Sequence, residues 1–254
     1  MEDGINGLLS SIKRKSSKMA KYILQRLSNP ARIEVGHHTA EIPIKSYSTY
    51  KEVSFYKRNE LEGVSDLLSE LDSNDIFLDV GANLGIHSIF ASKVAKEAYA
   101  IEPHPTNIAH MCLNRRQNNV GFKIFSCAFS SEQGYAKLPA PISESSVDGS
   151  ASINGDVSCK DHLYVKSEVG DLLFATQNLE VPSIVKIDVE GAEKDVIEGL
   201  SDTLNHEQCR IIYCEIHEKL GVQYEEIVNI LRSYGFVVEA IENVSYGRTV
   251  KVVK

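Results

Sequence analysis

The chain has 254 residues, 43% of them hydrophobic, and carries 35 acidic against 27 basic side chains for a formal charge of -8. That length holds one α/β domain with an appendage and a sizeable core, while the acidic balance argues against nucleic acid as a partner. Five cysteines without a CxxC pair read as small buried hydrophobes rather than disulfides or a zinc site, and the absence of a bilayer-length apolar run or a secretory signal core points to a cytoplasmic protein.

Residues 1–30 form the first unit, an expected amphipathic helix with Ile5, Leu9, Ile12, Met19 and Ile23 at helical spacings. Lys13, Arg14, Lys15, Lys18, Lys21 and Arg26 make it the one clearly basic segment, and Pro30 ends it. Such a helix packs on its own domain or a partner, or makes peripheral contact with an anionic membrane through residues 1–29; packing is the favoured reading. Residues 31–74 form an N-terminal extension. Arg32–Val35, Glu41–Ile44 and Val53–Tyr56 have the alternation of half-buried strands. A helix is expected over 60–71, where Leu61, Val64, Leu67, Leu68 and Leu71 share one face.

From residue 75 to 254 the pattern becomes strand, helix, strand. Ile76–Val80 is apolar except for Asp79, as in a strand buried on both faces. A helix is expected over 84–95, a strand over 98–101 closing at Glu102, a helix over 105–117 and a strand over 122–128. Residues 131–180 break the alternation with polar, turn-forming stretches; they read as a β-rich insertion with a helix near 170–177. Strands at 183–188 and 210–216 and helices at 192–203 and 223–234 follow. Gly235 sits where a helix-ending glycine belongs. Two last strands, 236–241 and 249–253, are close enough in sequence for an antiparallel pair, with a reversed strand expected at the sheet's edge.

The chemistry gathers at strand ends. In Asp79-Val80-Gly81-Ala82-Asn83-Leu84-Gly85, Gly81 permits a sharp turn and Gly85 a close approach of the next helix. Asn83 is among the few other residues that enter the left-handed region cheaply. A dinucleotide fingerprint requires glycine at the positions of Asn83 and Ile86, which disfavours a nicotinamide-dependent oxidoreductase. Acids at strand ends suit a cationic cofactor, and Glu102 is placed to accept from ribose hydroxyls. Asp188 ends a central strand where α/β sheets bind ligands, with Glu190 in the same loop. Lys186 shares Asp188's strand face and is expected to form an ion pair with a carboxylate. Glu193 reads chiefly as a helix N-terminal carboxylate. Glu215 and His217 share a face of the next strand, and a neutral His217 can accept a proton. His87 either touches a cofactor carboxylate or packs. Cys127-Ala128-Phe129 either lines an adenine pocket or fills core.

Three stretches together resemble the FkbM family of S-adenosylmethionine-dependent methyltransferases: Leu78–Gly85, Glu102-Pro103-His104-Pro105, and Val185–Glu193. The resemblance covers residues 75–220 and implies the class I methyltransferase fold, a Rossmann-like, seven-stranded, mostly parallel sheet with a reversed last strand. It implies S-adenosylmethionine as cofactor and O-methylation of a sugar or other small hydroxylated metabolite, a small-molecule or glycan acceptor. Asp79, Gly81, Asn83 and Gly85 would then shape the methionine end, and Glu102 would hold the ribose. Asp188 would sit beside the methyl group, with Asp188 and His217 the candidates for proton removal. The oxygens of Asp188, Glu190 and Glu215 can serve a divalent metal, though their spacing does not demand one. The alternative is a cofactor-binding but catalytically idle protein that recruits partners through its basic N-terminal helix.

Overall fold

The computed structural model describes residues 21–23, 29–139, 162–244 and 247–254. Apart from 21–23, which are helical, and Asn29, which is not, the basic helix expected over 1–29 lies outside the described residues, as does Cys159. No helix among the described residues is long and apolar enough to cross a membrane.

Strands β1 (Ala31–Val35) and β2 (His38–Ile42) pair antiparallel, with Ala31, Ile33 and Val35 buried and Arg32 and Glu34 exposed between them. This is the alternation expected of a half-buried ribbon. Helices α1 (Tyr47–Asn59) and α2 (Leu61–Glu70) follow. The short strand expected at Val53–Tyr56 is therefore helix instead. The Ser46 side chain caps α1 by accepting from the Thr49 N–H at 3.1 Å, Lys57 and Arg58 favour its C-terminal end, and Thr49, Val53 and Tyr56 bury one face at helical spacing. Four alternating residues were too few to separate a period of 2 from one of 3.6.

The remaining elements are β3 (Ile76–Val80), α3 (Ile86–Ala91), β4 (Glu97–Ile101), α4 (Pro105–Gln117), β5 (Lys123–Phe125), β6 (Ala128–Phe129), β7 (Gly134–Pro139), β8 (His162–Glu168), α5 (Gly170–Gln177), β9 (Ile184–Ile187), α6 (Glu193–Gly199), α7 (Ser201–Asn205), β10 (Ile211–Ile216), α8 (Tyr224–Ser233), β11 (Val237–Val244) and β12 (Gly247–Val253). Seven strands form one sheet in the order β11-β12-β10-β9-β3-β4-β5. Its central pairs are parallel, and β12 runs antiparallel to both β10 and β11. The reversed strand thus lies second from the edge rather than at it, inserted between β11 and β10. The expected strand over 122–128 divides, because β6 leaves the main sheet to pair with β8. The helix expected over 84–95 is shorter, and that over 192–203 breaks at Leu200 into α6 and α7.

Alternation along the parallel strands sorts the core into two layers. Phe77, Ile184 and Ile211 pack against the hairpin and α1 to α4. Ile76, Leu78, Val80, Val185, Ile187, Ile212 and Cys214 pack against α5 to α8. Each fully buried aliphatic or aromatic side chain contributes about 1.5–3 kcal/mol. The same parity fixes the polar positions. Asp79, Lys186 and Tyr213 are register neighbours across β3, β9 and β10, and they lie on the face covered by α1 to α3. Three of the four described cysteines are buried, whereas Cys112 is exposed on α4.

Candidate active site

The turn after β3 is built from backbone. Gly81 and Ala82 both donate to the Ile101 carbonyl at 3.0 Å, tying the turn to β4. Gly81 has φ +82°, and a Cβ there would lie 1.9 Å from the Asp188 carbonyl oxygen. Only glycine fits, and its bareness lets the turn touch the loop after β9. Asn83 takes φ +50°, the left-handed conformation expected of it. At Gly85 a side chain would strike Met111 of α4. The Glu102 carboxylate closes the turn from β4. It accepts from the Asn83 N–H at 2.8 Å, the His104 N–H at 2.8 Å and the Asn107 side-chain amide at 3.2 Å. Burial pushes the Glu102 carboxyl up to about 7 against these donors, which favour its anion. Gly81, Asn83, Glu102, His104, Leu138 and Asp188 line one small cavity of about 100 Å³.

Asp79 is buried beneath the turn. Its Oδ2 accepts from the Ser88 hydroxyl at 2.6 Å, while Oδ1 is buried without a hydrogen-bond partner. The Asn83 Oδ1 and the Tyr56 hydroxyl are in the same condition. Burial raises the Asp79 pKa, opposed by the neighbouring Lys186 ammonium. Lys186 forms the expected ion pair, its Nζ donating to Asp188 Oδ2 at 2.7 Å. Burial works against the ammonium, but Asp188, Asp79, Glu215 and Glu60 surround it and together hold its pKa above the ordinary value. His87 packs edge-on against the Tyr56 ring at 5.2 Å, and burial keeps it neutral.

Beyond Asp188 the loop carries Glu190, Gly191 and then α6. Burial and the Asp188 charge push the Glu190 carboxyl up to about 7. Glu193, expected to serve the helix N-terminus, does something else. It is 0% exposed, and its Oε1 lies 2.6 Å from His217 Nδ1 and accepts from the Gly191 N–H at 3.2 Å. The other ring nitrogen of His217, Nε2, is 3.5 Å from Glu215 Oε1. Burial lowers the His217 pKa, but Glu193, Asp188 and Glu215 outweigh it and the net shift is upward. One ligand atom from each of Asp188, Glu215 and His217 falls within 4.8 Å of the others.

These groups open into a cavity of about 740 Å³ whose wall includes Asn83, Asp188, Glu190, Glu215 and His217 on the sheet side. Tyr47, Tyr50, Lys51 and Arg58 of α1 face them. The tyrosines cluster with Tyr22, whose ring centroid lies 5.5 Å from that of Tyr47. Gly81, Asn83, Glu102, Asp188 and His217 thus line two adjoining cavities, with Asp79 buried beneath the turn and Gly85 packed against α4. Ala128 lines neither cavity; it is buried in β6, paired with Ser167 of the smaller sheet. Sequence reasoning placed an acceptor wall within residues 30–60 but not its helical form, because Val53–Tyr56 read as strand. It also missed the Glu193–His217 pair, because an acid in a helix's first turn already has an ordinary explanation.

A sequence model of the FkbM methyltransferase domain matches residues 79–238. The hexuronic acid methyltransferase AglP of Haloferax volcanii is 26% identical over 210 residues, covering 81% of each chain. The 31-O-demethyl-FK506 methyltransferase FkbM of Streptomyces tacrolimicus is 24% identical over 208 residues, covering 71% of this chain and 79% of its own. In structure, the chain is similar to a methyltransferase FkbM of Methylobacillus flagellatus, with TM-score 0.55 and 12% identity over 82% of this chain and 54% of that one. That likeness shows a shared class I fold.

Proposed function

The chain belongs to the FkbM methyltransferase family, and from that premise we propose that it transfers a methyl group from S-adenosylmethionine to a hydroxyl of a sugar or similar small acceptor. One observation carries the reading: Asn83 of the glycine turn shares a cavity wall with Asp188 and His217. Cofactor turn and proton-handling groups therefore face the same space.

The residues around the turn fit this cofactor. Asp79 Oδ1 and Asn83 Oδ1 are buried acceptors awaiting a donor, as a ligand ammonium would supply. Glu102 lines the adjoining cavity with its carboxylate held by three N–H donors, suited to ribose hydroxyls. S-adenosylmethionine brings a methyl group already activated on a sulfonium, so the protein's share is alignment and removal of one proton. His217 is the base for that proton. Glu193 holds Nδ1–H and stabilises the imidazolium that results, with Nε2, on the Glu215 side of the ring, as the accepting nitrogen. A pKa raised above the ordinary 6.5 by neighbouring carboxylates strengthens this base near neutral pH. Lys186 fixes the Asp188 carboxylate beside the reacting hydroxyl.

The acceptor side supports a polyhydroxylated ligand. Its volume is that of a small-molecule site, and Tyr47 and Tyr50 offer ring faces with polar tips. The relative AglP is named for a hexuronic acid and the relative FkbM for 31-O-demethyl-FK506. The test is transfer of isotopically labelled methyl to a panel of neutral and acidic glycosides. Label in a base-stable methyl ether is the expected result; label recovered only as a base-labile ester or on nitrogen contradicts the hydroxyl assignment.

A further inference from the structure

Among the described residues, four buried side-chain polar atoms have no hydrogen-bond partner, and three of them surround the glycine turn: Asp79 Oδ1, Asn83 Oδ1 and the Tyr56 hydroxyl. Tyr56 is the unexpected one. It comes from α1, which precedes the family-matched region. It is 8% exposed and lines a small cavity with Gly81, Ala82, Asn83, Lys186 and Asp188. A ring packed there against His87 needs no hydroxyl, and phenylalanine would fill the place without a buried polar group. A buried hydroxyl left unsatisfied is costly, so its presence calls for a partner. Two orphaned acceptors beside one orphaned hydroxyl are complementary to a zwitterion, whose ammonium donates to the first two and whose carboxylate accepts from the third.

We infer that Tyr56 binds the α-amino-acid end of the cofactor, its hydroxyl donating to the carboxylate while Asp79 and Asn83 accept from the ammonium. The assignment rests on the S-adenosylmethionine reading and deepens it. Three features agree. The Lys186 ammonium lines the same small cavity as Tyr56 and is the positive charge there among the carboxylates of Asp79, Asp188 and Glu60. Glu102 sits across the turn in a separate small cavity, so the ribose and amino-acid ends have distinct places. Burial, Glu60 and Asp79 all oppose ionisation of the phenol, so Tyr56 remains a donor. The N-terminal extension then becomes part of the cofactor site as well as the acceptor wall, and the site discriminates the intact amino-acid tail from nucleosides lacking it.

The test is calorimetric and needs no acceptor. The full chain and its Tyr56→Phe variant are titrated with S-adenosylhomocysteine, and 5′-methylthioadenosine, which lacks the amino-acid end, is measured by displacement. The variant keeps the ring and its contact with His87. Expected is a roughly tenfold to hundredfold loss of S-adenosylhomocysteine affinity, the range for one hydrogen bond to a charged group, with methylthioadenosine affinity unchanged. Equal affinity of parent and variant for S-adenosylhomocysteine overturns the Tyr56 assignment and leaves the cofactor reading standing. An equal loss for both ligands also overturns it, since Tyr56 would then act through packing. Failure of the parent chain to bind either ligand overturns the cofactor reading and this assignment with it.

Discussion

The two sides of the cleft are made differently. On the cofactor side, Gly81, Ala82, Asn83 and Gly85 are consecutive or nearly so, and backbone geometry defines the turn. On the acceptor side, Tyr47, Arg58, Asp188, Glu193 and His217 come from α1, the loop after β9, α6 and the end of β10, and side chains define it. Lys186 joins the two, being a register neighbour of Asp79 on one side and the ion-pair partner of Asp188 on the other. A backbone-built turn tolerates almost no added atoms, and it fixes where the few polar side chains beside it stand. A side-chain-built site can change its substrate by substitution without losing its cofactor.

Damage on the two sides should therefore look different. Gly81→Ala places a methyl group against the Asp188 carbonyl in a conformation that favours glycine. It is expected to cost about 2–5 kcal/mol of stability and to remove S-adenosylhomocysteine binding, read by thermal unfolding and calorimetry. Retained binding with unchanged melting would show that the turn is looser than its geometry indicates. Lys186→Met strikes the link. It leaves Asp79, Asp188, Glu215 and Glu60 without their shared cation, at roughly 3 kcal/mol in stability. Both cofactor affinity and turnover should fall together, whereas a loss of turnover alone would detach Lys186 from the cofactor side. Glu193→Gln is the mildest change and belongs to the acceptor side alone. It removes one of the carboxylates that raise the His217 pKa. As a base, His217 works only when unprotonated, so activity rises with pH through its pKa and the parent's acid limb should lie above 6.5. In Glu193→Gln that limb should move down, with cofactor affinity unaffected. An unmoved limb would separate Glu193 from the titrating base.

This contrast also explains what could be read from the sequence. The turn, Glu102 and the Lys186–Asp188 ion pair were legible because each depends on residues within one strand and the loop that follows it. The parallel sheet was legible from strands apolar on both faces. The position of β12 was not, since a short link between two strands sets their pairing but not which of them meets β10. α1 was misread where its apolar spacing coincides over four residues with a strand's. Glu193 was legible only as a helix-start acid, because its contact with His217 joins residues 24 apart and requires the crossover from β9 through α6 to β10.

The most direct test of the account compares binding with turnover in one variant, His217→Gln. The residue lies on the acceptor side, and its loss should leave the glycine turn untouched. S-adenosylhomocysteine affinity should equal the parent's, and methyl transfer should fall by about 10²–10⁴-fold, the usual contribution of a general base. Undiminished transfer, or cofactor affinity lost in step with activity, would contradict the account.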